Sequence, residues 1–189
     1  MDPDRAADMW EGKVIASARR VLAASLAALT VLVTEPSKAA EPGVVEVAVF
    51  DFALDDRSAG GGIIHQDPID TENLKASTEE ARRMLSASGR YSAVDTSSAA
   101  DEVIAAGGIQ HCNGCEVPLA KELGADQSMV GVFTRVSRTE YTLQILVRDT
   151  QTGAVVANAS TGLRMGANYS WPRGVKWLMN RMLPAQPAQ

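Results

Sequence analysis

Apolar and β-branched residues run almost without a break from Val44 to Phe52 (VVEVAVFDF), the pattern of a strand covered on both faces. Ala53 to Pro68 interrupts it with Asp55, Asp56 and Gly60-Gly61-Gly62 and reads as a long mobile loop. From Asp70 the period lengthens. Leu74, Ala81 and Leu85 recur at helical spacing, Glu79, Glu80, Arg82 and Arg83 take the solvent side, Asp70 or Thr71 stands as cap, and Gly89 ends the helix. Tyr91 to Val94 predicts a short strand, and Ser98 to Ala106 an Ala-rich helix closed by Gly107 and Gly108.

The second half changes period again. Val117 to Leu123 predicts a short helix with Pro118 in its first turn and Gly124 at its end. Three strands follow, at Gln127–Val136, Tyr141–Asp149 and Ala154–Arg164. Thr150-Gln151-Thr152-Gly153 is the hairpin turn between the last two, with glycine where φ must be positive. Leu143, Ile145 and Val147 alternate with more polar neighbours, so that hairpin buries one face. Ser170 caps a last helix entered through Trp171-Pro172, with Trp171, Val175, Leu178 and Met182 along one stripe. The order β-α-β-α-α-β-β-β-α implies an α/β (α+β) domain: one mixed sheet with an antiparallel meander in its second half and helices packed on it.

Residues 1–39 have a different character. Arg19-Arg20 precede Val21 to Val33, an uncharged run of small and apolar residues, and Pro36-Ser37-Lys38-Ala39 follow. This is the charged, apolar, small-residue order of a secretory signal, and about 13 apolar residues are too few for the ~20 that cross a bilayer. The competing reading is a retained N-terminal anchor, with Asp2, Asp4, Asp8 and Glu11 in front of the basic pair. Cleavage leaves a single periplasmic domain, 40–184, with a disordered tail, 185–189, and no membrane span. The leader holds five basic residues (Arg5, Lys13, Arg19, Arg20, Lys38) and five acidic ones (Asp2, Asp4, Asp8, Glu11, Glu35), so the remainder keeps the whole net charge of -5. That charge argues against a nucleic-acid partner, which needs a concentrated basic surface.

The phrases Val47-Ala48-Val49-Phe50-Asp51-Phe52, Cys112-x-x-Cys115 leading into Leu119 to Asp126, and Ser170-Trp171 resemble an uncharacterised family of secreted bacterial proteins over roughly 44–183. The opening strand and the Leu123-Gly124-Ala125-Asp126 joint are also similar to the N-terminal domain of TolB and to the curli-secretion lipoprotein family. These resemblances imply a periplasmic accessory or assembly protein whose partner is another protein. The first family's association with bacteria that oxidise alcohols in the periplasm points to an oxidation system. No catalytic residue is carried over, and the chain lacks the lipid-bearing cysteine of the curli family.

The chemistry-bearing residues are few: 2 Cys and 2 His. Asn113-Gly114 makes a tight turn that brings Cys112 and Cys115 together, and in an oxidising compartment such a pair forms a structural disulfide. A thiol oxidoreductase is the sharper alternative, with His111 and a helix start beside the pair. Against it stands the absence of proline between Pro118 and Pro172, where thioredoxin-like enzymes carry one. A metal carrier is the third, its ligands His65, His111, Cys112 and Cys115. No cofactor is called for. Glu116 stands where a haem-attachment motif needs histidine, and Gly60-Gly61-Gly62 lacks the Lys-Ser/Thr of a phosphate cradle. Asp51 resembles a phosphatase nucleophile, but Ala53 replaces the second acid that chemistry needs. On the last helix, Trp177 with Met179 is a candidate exposed contact surface, the alternative being that both pack on the sheet.

Export with cleavage places the mature N-terminus at Ala40 or within a residue or two. Intact mass of the periplasmic protein checks this, and a membrane-bound product still carrying Val21 to Val33 would establish the anchor instead.

Overall fold

The computed structural model describes residues 43–63, 66–164 and 171–183. Its elements are β1 (Val45–Val49), β2 (Ala53–Asp56), α1 (Pro68–Ala87), β3 (Tyr91–Val94), α2 (Ala100–Ala105), α3 (Glu116–Glu122), β4 (Gln127–Arg135), β5 (Glu140–Asp149), β6 (Val155–Arg164) and α4 (Trp171–Met182), with 3₁₀ turns at Ser97–Ala99 and Ile109–His111. One open mixed sheet runs β3-β1-β4-β5-β6, with β2 continuing the line of β1 along β4. β1 is parallel to β3 and β4, and β4, β5 and β6 form the antiparallel meander. From β1 the chain moves to β3 through α1 on one face, then back across β1 to β4 through α2 and α3 on the other. Right-handed crossovers require this change of face when the direction of winding reverses. One core lies beneath α1 and α4, and a smaller one beneath α2 and α3.

The apolar run that reads as one strand is broken by a bulge. Val49 pairs with Met129 and Ala53 with Val132, four steps on one strand against three on the other, so one residue is extra. It is Asp51, whose side chain is 85% exposed. Its insertion changes the alternation: Val47 and Val49 share the larger core with Phe52, while Ala48 and Phe50 occupy the smaller one. Unbroken alternation would send Phe52 to the opposite face. Three of the backbone groups beside the break find partners across it. Phe50 N donates to Met129 O at 3.1 Å and Phe52 N to Thr78 Oγ1 at 2.9 Å. Val49 O accepts from Arg82 Nη2 at 2.9 Å and from Thr96 Oγ1 at 3.2 Å. The Phe52 ring lies over Gly131 of β4, where a Cβ would collide with it. It tilts against Phe133 at 6.3 Å, and Phe133 stacks on Trp171 at 4.3 Å.

The structure departs from the sequence expectations at three further places. Ala53–Asp56, expected as loop, is strand β2 paired to β4. Helix α1 starts earlier than expected: Asp67 is its cap, accepting from Ile69 N at 2.9 Å, because Pro68 suits a first helical position that needs no N–H donor. Asp70, expected as a cap, is buried instead. The Ala-rich helix divides into the 3₁₀ turn Ser97–Ala99 and α2. The leader, His65, Ser170 and the tail lie outside the described residues. No described helix is long and apolar enough to cross a membrane.

Gly131→Ala should overpack the Phe52 site and cost about 1–3 kcal/mol. At roughly 2–4 °C per kcal/mol for a chain of this size, thermal melting followed by circular dichroism reads the loss. Phe52→Leu in the same background should recover part of it.

Candidate functional site

The 3₁₀ turn Ile109–His111 is anchored by Ile109, 4% exposed in the smaller core. From there the chain reverses through Gly114, at φ 97°, a conformation that suits glycine. The reversal leaves the Cys112 and Cys115 sulfurs at disulfide distance, with Cα atoms 5.5 Å apart. Glu116, the next residue, is only 2% exposed. Its Oε2 lies 3.4 Å from Cys112 Sγ and its Oε1 lies 3.1 Å from Arg148 Nε of β5. A disulfide sulfur has no proton to donate, so the first contact becomes a hydrogen bond only in the dithiol form. The second is an ion pair in which Nε is not aligned to donate, while Arg148 Nη1 donates to Gly153 O at 3.1 Å. The buried carboxylate is thus balanced by a strand residue, and α3 is tied to the sheet beside the cysteine turn.

This arrangement brings together two members of the four-ligand metal set, Cys112 and Cys115. Among the described residues, the donor atoms that come together are those of Cys112, Cys115 and Glu116, all within 4.8 Å of one another. His111 is exposed and outside the group, and His65 is not among the described residues. Local sequence does not single out Glu116, because a carboxylate in a helix first turn ordinarily faces water. The pairing with Arg148 spans 32 positions, and nothing local signals it.

Two other charged clusters hold the fold together. Arg135, at the end of β4, donates to Asp70, to Asp56 Oδ2 at 2.8 Å and to Tyr141 Oη at 2.9 Å. Burial alone would lower its pKa, but the bonds to Asp70, Tyr141 and Asp56 outweigh it and raise the value. The Ser58 side-chain hydrogen bond, followed against burial by the Ser58 backbone and Arg135 bonds, holds Asp56 below its ordinary value of 3.8. Arg82 reaches Asp51 Oδ1 at 3.0 Å and Glu79 Oε1 at 3.0 Å in addition to Val49 O. Asp51 therefore serves an ion pair on the rim of a shallow cleft of about 320 Å³ lined by Phe50, Arg82, Thr96 and Ile104. Doubly wound sheets bind ligands beyond the strand ends where the winding reverses. Here β2 continues along β4 into that position.

Helix α4 divides the expected contact pair. Trp177 is 49% exposed, with the Arg181 guanidinium 4.8 Å from its ring centroid. Met179 is fully buried, which corrects the expectation that it shares that surface. It follows Val175 by four residues and joins Trp171, Val175 and Leu178 in the core stripe.

The profile of the family DUF3280, described as "Protein of unknown function (DUF2380)", matches residues 45–183. The chain belongs to this family. No curated protein matches it. Among solved structures, it is similar to the LpoB C-terminal domain from Escherichia coli at 15% identity and TM-score 0.42, over 67% of this chain and 87% of that one. It is similar to lipoprotein GNA1162 from Neisseria meningitidis at 17% and 0.43, over 75% and 96%, and to TolB from Acinetobacter baumannii at 9% and 0.40, over 72% and 26%. Likeness at this level is one of general outline, and no function is read from it.

The cysteine turn closes a very short loop, so in the chain-entropy account its bond adds only ~2 kcal/mol. Cys112→Ser/Cys115→Ser should lower the melting temperature by a few degrees, roughly 2–4 °C per kcal/mol. Hydrogen exchange should show the loss in α3 and not in β4 or β5. Uniform loss across the sheet would contradict a local role.

Proposed function

We propose that the protein is a non-catalytic accessory of the bacterial periplasm, exported by its leader, that acts by binding another protein. The observation that carries this reading is the outer edge of β6. Among the described residues no strand pairs with it. It runs for ten residues without proline, and its only charge is at Arg164. Edge strands of this length are ordinarily blunted by charge, proline or a covering element. Here the only irregularity is the register shift opposite Val147/Arg148, at its first residues. The reading also agrees with the charged clusters, whose ion pairs and hydrogen bonds serve the fold. A component of a periplasmic oxidation system is one partner class that fits.

A thiol oxidoreductase is the second reading, favoured by one observation: the buried Glu116 carboxylate beside Cys112 Sγ, placed to accept a thiol proton. Chemical cross-linking and affinity purification from periplasmic extract separates the two. A binding accessory retains its partner in the Cys112→Ser/Cys115→Ser variant. Loss of the partner from that variant while it stays folded, or a mixed disulfide trapped by Cys112→Ser or Cys115→Ser alone, favours the enzyme.

A further inference from the structure

The flank of α4 converts the open edge of β6 into a groove with a chemical preference. Gly174 lies directly on Leu163 of β6, since a Cβ there would come within 2.8 Å of Leu163 Cδ2. Trp177 and Arg181 follow Gly174 by three and seven residues, so helical spacing puts them on the same side of the helix. Lys176 lies towards α1, where its charge helps Arg83 keep the Glu80 carboxyl below its ordinary value. On the helix-facing side of β6, Ala157, Ala159 and Leu163 pack against the core, and Thr161 shares their alternation. These are mostly small side chains. A strand added about 4.8 Å outside β6 would lie beside them, with its helix-facing side chains against Trp177 and Arg181.

We infer that this groove binds an extended segment of a partner protein as an added strand, and that the segment carries an apolar and an acidic residue two positions apart, for Trp177 and Arg181 respectively. The inference rests on the protein-binding reading above and names its surface. Three features argue for this occupant. The backbone edge supplies a ladder to any extended chain and so fixes conformation. Trp177, half exposed with Arg181 over its ring, is a pair of the residue types that anchor protein interfaces. Arg181 is the charged side chain on this flank, and α4 carries no acidic residue to offset it, although the chain as a whole is at -5, so the complementary segment is acidic.

The test uses the full chain, ¹⁵N-labelled, and a blocked eight-residue peptide with threonine at alternate positions and valine or aspartate between them. A counterpart has lysine for aspartate. The acidic peptide should shift and protect the amides of residues 157–164 and bind about tenfold more tightly than the lysine peptide. Full N-methylation of the peptide backbone should abolish binding. Trp177→Ala should weaken it about tenfold, and Arg181→Glu should reverse the charge preference, with melting temperature unchanged in both. No binding, shifts that map elsewhere, or equal affinity for the two peptides would overturn the inference. So would protection of β6 that appears without peptide and rises with protein concentration, because the occupant would then be a second copy. A periplasmic partner that cross-links equally well to the Trp177→Ala and Arg181→Glu variants would leave the binding reading standing and remove the groove. Peptide capture with no periplasmic partner would do the reverse.

Discussion

The extra residue at Asp51 is the constraint on which the rest of the fold depends. A strand at the centre of a two-faced sheet must supply apolar side chains to both cores, and strict alternation assigns each position to one of them. The bulge lets Val47, Val49 and Phe52 all serve the larger core, while Ala48 and Phe50 serve the smaller. It brings Phe52 over Gly131, and through Phe133 the contact passes to Trp171 at the start of α4. The last helix is therefore seated on a packing chain that begins at the first strand. The break also explains why Thr78, Arg82 and Thr96 turn inward: each bonds a backbone group that the interrupted ladder leaves without a strand partner.

The charged clusters follow the same logic of closing gaps. Arg135 binds the end of β2 through Asp56 and the first turn of α1 through Asp70, so it spans the connection that residues 57–67 make. Arg148 performs the corresponding task for α3 through Glu116. In both cases a partly buried guanidinium on the meander compensates a carboxylate from the parallel half. Removing one member would leave the other uncompensated in a poorly hydrated setting. These pairs join the two halves of the sheet to the helices.

Much of this was legible in the residues, for identifiable reasons. The meander was clear because β5 buries Tyr141, Leu143, Ile145 and Val147 on one face only, and one-sided burial writes alternation into the sequence. The bulge was hidden because Phe50 and Phe52 are both apolar and both cores accept them; only the acidic residue between them hinted at a break. β2 was lost among aspartates that are paired rather than solvated, Asp55 with Arg57 and Asp56 with Arg135. The start of α1 is masked because proline suits a loop as well as a first helical position, and here Pro68 takes the latter. At the cysteine turn the pairing was legible from Asn113-Gly114, whereas Glu116 was not, since its partner comes from a distant strand. Met179 lies only two residues from Trp177, but its place four residues after Val175 puts it on the buried stripe.

Net charge and local charge also make different statements about this chain. The total of -5 governs its long-range field and argues against a polyanion as its main partner. At physiological ionic strength, however, charges more than ~8 Å away are largely screened, so a docking segment senses only the side chains that border it. Along the outer flank of α4 those are Trp177 and Arg181, and the helix has no acidic residue to offset them. Many of the acids elsewhere are already engaged, as at Asp51, Asp56, Asp70 and Glu116. Their number sets the total without weakening the basic character of the helix. An acidic protein can in this way present a basic side chain at a contact surface, and the sequence total conceals it because a sum over the chain carries no information about which flank of the helix Arg181 takes.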